Sequence, residues 1–270
     1  MKHVAKGVMI ALVCWGDMAV CGEIGRGTRS DVSTWVEEVC PPAIEKAARG
    51  RWLETAISSP VDWRVFLKDG KVGAEYRGRE TAEEFPAGLK SDRLHRGDRF
   101  RQVDNGWLVA RNHGEFGAAL YWFSSGGETN YLISNHQVVD FISFPDCIYA
   151  IEGLAHMGGS HGSLIRIVCT KPDGRWKAAS VLELPFAPLA VSRRRDGTML
   201  ITLSHSLVAV GRDHELHTLA ADMGWEGLYP GSSALTGDDE KLYIGMRQFV
   251  GEFDLKTKKM RFLIPSKDWR

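Results

Sequence analysis

The sequence predicts an all-β fold, a β-propeller of five four-stranded blades preceded by a short helical or irregular lead-in. Three observations carry that expectation. Many of the 29 glycines lie between short apolar runs, a pattern that suits a chain of short strands and tight turns. One apolar motif recurs through most of the chain at blade-sized intervals of about 40–50 residues. Around each copy the order of turns and strands repeats in phase, giving four strands per repeat.

The first residues read as an export signal over 1–22. Lys2 and Lys6 supply a positive start, and Gly7 to Trp15 is an apolar run too short to span a bilayer. Ala19 and Gly22 place cleavage near Cys21 to Glu23. Cys21 raises a lipid anchor as an alternative, although Val20 stands where a lipobox wants a small residue. The expected location is therefore the periplasm or the extracellular space. Residues 23–50 form the lead-in. Asp31 or Ser33 caps a short helix over 34–39, Pro41 and Pro42 end it, and a second helix runs from Pro42 through Ala48 to Gly50. This stretch could also contribute a closing strand.

From residue 51 to 270 the chain reads as the propeller domain. The anchors Trp63, Trp107, Ile148, Met199 and Leu242 recur at separations of 44, 41, 51 and 43 residues. Each is taken as the second residue of its blade's second strand. Turn residues precede four of them: Asn105-Gly106, Pro145-Asp146, Asp196-Gly197 and Gly237-Asp238. Two further apolar runs follow each of those four. A degenerate first repeat leaves four or six blades open, and Thr81 to Gly88 reads as a surface insertion. A β-sandwich would share the strand spacing but not the phase of the repeat.

Composition excludes some functions. Thirty-four basic residues balance thirty-four acidic ones, so no net field draws the chain to nucleic acid or to an anionic membrane. The mature chain keeps Cys40, Cys147 and Cys169. Cys147 and Cys169 flank a hairpin and are the nearer pair for a disulfide, yet mirror counting leaves them a few residues out of register. There is no CxxC, HExxH, P-loop or GxSxG. No metal, cofactor or catalytic residue is assigned, no membrane span is expected, and a monomer is.

The runs NHGEFGAALYWF (112–123), IYAIEGLAH (148–156), LYP (228–230) and LYIGMR (242–247) resemble a family of uncharacterised bacterial exported β-propeller proteins. The resemblance covers roughly residues 100 to 265. It implies the propeller fold and carries no activity with it.

Function in propellers clusters on the loops of one face. Two of the loops between second and third strands are long, Asn112 to Gly117 and Gly153 to Gly162. They carry His113, Glu115, His156 and His161. Glu152 and Arg111 occupy equivalent half-buried positions in adjacent blades, so an ion pair between them is expected, with a functional carboxylate as the alternative. The link Trp225 to Gly231 offers Trp225 and Tyr229 as an aromatic wall, and Arg247 could hold a carboxylate or phosphate. The candidate ligand-binding set is therefore His113, Glu115, Glu152, His156, His161, Trp225, Tyr229 and Arg247.

The function expected from these residues is a non-enzymatic interaction module binding a protein or small molecule at one propeller face. One version is an inhibitor or immunity-type protein against a toxin or hydrolase. The alternative is a hydrolase or lyase acting on carbohydrate or peptide through Glu115, Glu152 and the histidines. An enzyme needs two or more of those groups converging in a pocket; a binder needs an exposed apolar or aromatic patch.

Overall fold

The computed structural model describes residues 29–42, 44–77, 85–95, 97–170, 174–225 and 227–266. The export signal over 1–22 and residues 81–84 of the insertion lie outside them. The chain opens with β1 (Arg29–Asp31), a 3-10 turn over Val32–Thr34 and β2 (Val36–Glu38), followed by α1 (Lys46–Ser58). Blade 1 holds β3 (Asp62–Lys68) and β4 (Lys71–Arg77). Blade 2 holds β5 (Arg99–Val103), β6 (Gly106–Asn112), β7 (Ala118–Phe123) and β8 (Asn130–Ser134). Blade 3 holds β9 (Val138–Ser143), β10 (Ile148–His156), β11 (Gly159–Thr170) and β12 (Arg175–Leu184). Blade 4 holds β13 (Pro188–Arg193), β14 (Met199–Leu203), β15 (Leu207–Val210) and β16 (Leu216–Ala220). Blade 5 holds β17 (Ser232–Leu235), β18 (Lys241–Gly245), β19 (Val250–Asp254) and β20 (Lys259–Ile264).

All five sheets are antiparallel, and the protein is a five-bladed propeller. Four of the five anchors sit where the repeat put them, in the second strands β6, β10, β14 and β18. Trp63 does not. It lies in β3, the innermost strand of blade 1, so the fainter first repeat was aligned one strand out of place.

The lead-in takes the closing-strand alternative, and its helices differ from those expected for a physical reason. Residues 34–39 do not form a helix. Asp31 accepts from the Ser33 backbone N–H and caps a single 3-10 turn. The chain then extends as β2, which pairs with β20 on the outer edge of blade 5. Just before it, β1 pairs with β4 on the edge of blade 1. Blade 1 is thereby completed to three strands and blade 5 extended to five. Between the two strands, Val32 and Trp35 are buried with Trp63, Ala74, Tyr243 and Leu263 at the junction of blades 5 and 1. The Trp35 ring meets the Trp63 ring edge-on, with centroids 4.7 Å apart. The N-terminal strap thus fastens the last blade to the first.

The helix comes later than expected and runs through Gly50, whose cost of about 1 kcal/mol tertiary packing overrides. Trp52, Leu53, Ala56 and Ile57 form one apolar stripe against blade 5, and Trp52 stacks on Phe249 with centroids 4.8 Å apart. Arg247 Nη1 donates to the Ile57 carbonyl at 2.7 Å, placing a cation at the helix C-terminus.

Apolar packing fills four of the five blade junctions. Leu108, Ala110 and Leu120 of blade 2 meet Val138, Phe141 and Ile148 of blade 3. Ile151 and Leu164 of blade 3 meet Met199 and Ile201 of blade 4. Leu200 and Leu207 of blade 4 meet Leu242 and Ile244 of blade 5, and Trp63 and Val65 of blade 1 meet Ala234 and Val250 of blade 5. The junction of blades 1 and 2 is different. There Val109 and Phe123 of blade 2 are covered by Leu89, Leu94 and Phe100, and among the described residues no blade 1 side chain joins the cluster.

Cys40, Cys147 and Cys169 are free thiols. Ile148 pairs with Ile167 across the hairpin, so the register sets Cys147 opposite Val168. Cys169 is one residue further along and points to the other face of the sheet. The expected Cys147–Cys169 bond is therefore not formed.

Blade 5 buries one carboxylate. Glu252 is 5% exposed and accepts from Tyr243 Oη at 2.6 Å, Arg261 Nε at 2.9 Å and Lys241 Nζ at 3.2 Å. Burial opposes its ionisation, but the donors from Arg261, Tyr243 and Lys241 outweigh that and hold it below the usual glutamate value. Burial and the Glu252 carboxylate together push the Tyr243 hydroxyl far up. A depressed carboxyl contributes stability above its ordinary value of 4.5, and that stability is lost as pH falls through the folded value. The Glu252→Gln variant should lose about 2–3 kcal/mol at neutral pH. This is less than for a fully buried pair, because the Arg261 and Lys241 heads reach water. Urea melts across pH 3–7 should also show a shallower acid decline below about pH 4.5 in the variant.

Candidate functional site

The face carrying the loops between second and third strands, together with the links between blades, holds a cavity of about 340 Å³. Its walls are Leu154, His156 and Met157 on one side and Ala187, His205 and Tyr229 on others. Three elements build it.

The first is a β-ribbon. The stretch Gly153 to Gly162 was expected to be a loop. Instead β10 and β11 stay paired beyond the blade, from Gly153↔Gly162 to His156↔Gly159. The turn at the tip is Met157-Gly158, both residues at positive φ, as a two-residue hairpin turn of the primed kind requires. The glycine pair at the base has a packing reason. A Cβ on Gly162 would strike the Pro188 ring of blade 4, and one on Gly153 would strike the His161 carbonyl. Gly153 also sits at φ 150°.

The second element is the loop of blade 2, where Gly114–Phe116 forms a 3-10 turn lying against β10. Glu115 Oε2 and His156 Nε2 meet there at 2.6 Å, both well exposed. The third is the link between blades 4 and 5. Trp225 is fully buried beneath it and donates through Nε1 to the Leu203 carbonyl at 2.9 Å. The link is pinned at both ends, by Met223 N–H on the His205 carbonyl at 3.0 Å and Arg247 N–H on the Leu228 carbonyl at 2.7 Å. Tyr229 stands out from it at positive φ, 61% exposed, with the Arg247 guanidinium 4.5 Å from its ring centroid.

The structure therefore brings together His156, Trp225 and Tyr229 at one cavity, with Glu115 paired to His156 and Arg247 behind Tyr229. Arg247 has its charge on the Ile57 carbonyl and the Tyr229 ring. His113 lies apart, exposed and 5.9 Å from the ring of His95. His161 is exposed on the ribbon opposite Leu154 and does not line the cavity. The expected Arg111–Glu152 ion pair is absent. Arg111 Nε lies 3.7 Å from the buried Asp98, and its Nη2 donates to the Arg93 carbonyl. Glu152 accepts from Ser163 Oγ and from the Gln137 backbone N–H at 3.3 Å. Positions equivalent in adjacent blades point the same way round the ring, so each faces a different neighbour and the two do not meet.

A scan against protein-family models finds no match, and neither does a search of curated proteins. Solved structures similar to this chain are β-propeller-like bacterial proteins. One is virginiamycin B lyase from Staphylococcus aureus, 14% identical, covering 63% of this chain and 56% of that one, with a TM-score of 0.41. Another is PorZ, a surface component of the type-IX secretion system of Porphyromonas gingivalis, at 10% identity. It covers 73% of this chain and 30% of that one, with a TM-score of 0.43. A third is the gluconolactonase XC5397 from Xanthomonas campestris, 17% identical, covering 60% and 59%, with a TM-score of 0.38. The matched region is just over half the length of the first two lyase structures, at 56% and 51%. These proteins differ in role, and the likeness concerns the fold.

Sequence reasoning missed the two most exposed apolar side chains of this face, Met157 at 91% and Phe116 at 86%. Met157-Gly158 was legible as a hairpin tip, but the glycines on either side read as loop. No helix among the described residues is long and apolar enough to cross a membrane.

The ribbon gives two contrasting expectations. Glu115→Gln should change stability by less than about 1 kcal/mol, as for other exposed ion pairs. Gly153→Ala, which needs a strained φ and displaces a carbonyl, should cost about 1–3 kcal/mol. Urea midpoints of the two variants check the contrast.

Proposed function

We propose that the protein is an exported, monomeric, non-enzymatic binding module. Its partner seats an apolar side chain or small apolar group in the cavity between the ribbon and Tyr229. The observation that supports this reading is the exposed pair Met157 and Tyr229 at the cavity, with Phe116 exposed on the neighbouring loop of blade 2. Large exposed apolar side chains grouped on one face mark an interaction surface. Tyr and Met are residue types enriched at such surfaces, and the rigid blades beneath limit the entropy lost on binding.

The ionisable groups support a binder over a hydrolase or lyase. Glu115 and His156 engage each other. Glu152 is turned toward Ser163 and Gln137, away from the cavity lining. An inhibitor or immunity-type protein, plugging the cleft of a toxin or hydrolase with the projecting ribbon, is the version of this function that the ribbon's shape favours. The resemblance to exported bacterial propellers is consistent with action outside the cytoplasm.

The test is affinity capture from the exported fraction of the native cell. Wild type should retain a partner that Met157→Asp and Tyr229→Ala lose at least tenfold, with melting temperatures unchanged. A partner retained equally by both variants would overturn the reading, and so would hydrolytic turnover abolished by Glu115→Gln.

A further inference from the structure

A second cavity, of about 320 Å³, occupies the mouth of the central channel and is lined from the innermost strand of every blade. Val139 and Leu189 line both cavities, so the two adjoin. Their chemistry differs. Around the channel mouth stand Arg64, Arg77, Arg99 and Arg101, with Asp62 and Asp140 among them. Strand alternation accounts for the cluster. Trp63 and Val65 turn to the apolar junction with blade 5, which leaves Asp62 and Arg64 on the other face of β3. Arg99 and Arg101 likewise share one face of β5. The polar lining falls where, among the described residues, blades 1 and 2 share no apolar cluster of the kind that fills the other junctions.

Among the described lining residues, four guanidinium groups face two carboxylates. Asp62, Arg64, Arg77, Arg99 and Asp140 each already engage in an interaction. A guanidinium carries five N–H donors, so a group engaged with the protein can also donate to a ligand. Arg101 is the informative member. Its Nη2 donates to the Phe141 carbonyl at 3.1 Å, while its Nε is shielded from solvent without a hydrogen-bond partner. A donor left so is costly, and a water, ion or ligand group admitted by a small shift of the side chain can complete the set.

We propose that the channel mouth is a binding site for a compact, multiply charged oxyanion, a phosphoryl group or a dicarboxylate, held by Arg101 and its neighbouring guanidinium groups. Forked N–H donors match the paired oxygens of either. The site stands independently of the apolar cavity beside it.

Melting temperature is measured with inorganic phosphate, with succinate, and with sodium chloride at matched ionic strength. At least one oxyanion should raise it above the chloride control in a saturating, dose-dependent way. Arg101→Gln and Arg99→Gln should each cut the apparent affinity at least tenfold, while Met157→Asp leaves it unchanged. A rise reproduced by chloride, or no rise with either anion, overturns the proposal. So does a rise that persists in both arginine variants. If the variants do not fold, phosphorus NMR of phosphate with the wild-type protein decides. Line broadening reversed by succinate but not by chloride supports the site, and unbroadened lines overturn it.

Discussion

A propeller blade is a small twisted sheet with two faces, and neither face can be left in water if the chain is to stay folded. The fold therefore depends on apolar contact between consecutive blades, and four junctions here meet that demand with side chains such as Leu108, Ile151, Leu200 and Trp63. At the fifth, blade 2 hides Val109 and Phe123 beneath the segment carrying Leu89 and Leu94, and blade 1 does not have to press against it. Blade 1 depends instead on blade 5 and on the strap that joins them. Charged side chains gather around the channel mouth beside the one junction that apolar packing does not close.

The two cavities follow from the same geometry. The apolar one rests on what the blades add to their upper edges: a ribbon, a 3-10 turn and a pinned link. The charged one rests on what the innermost strands turn away from the apolar junctions. They share Val139 and Leu189 as a common wall, so one face of the molecule offers an apolar surface beside a cationic recess.

Much of the fold was legible because the second strands carry the repeat in their own residues. Gly106-Trp107, Lys241-Leu242 and their equivalents are short apolar runs behind clear turns, and those signals are local. What was not legible depends on distant partners. Nothing in Val36-Glu37-Glu38 says that Ile264, more than two hundred residues on, will pair with it. The helix ran past Gly50 because Trp52 and Ala56 pack on a blade formed at the far end of the chain. Tyr229 and His156, singled out for aromatic and titratable chemistry on expected loops, both line the apolar cavity. Arg111 and Glu152 were misjudged because equivalence in a repeat was taken for contact. The alternation Asp62-Trp63-Arg64 and Arg99-Phe100-Arg101 was present in the sequence, but it gains meaning only once both strands are known to be innermost.

The strap has a consequence for how the chain reaches its native state. β2 precedes every blade in the chain, yet it pairs with β20, the last strand of blade 5. The ring therefore cannot be sealed until all five blades exist, and sealing it brings together Val36 and Ile264, more than two hundred residues apart. Such long-range pairing makes folding slow. Without that pairing, Trp35 and the Trp63 face of blade 1 lose part of their apolar cover, and exposed apolar surface of this kind promotes association between chains. The strap and β20 thus close the ring around all the blades that lie between them in the chain.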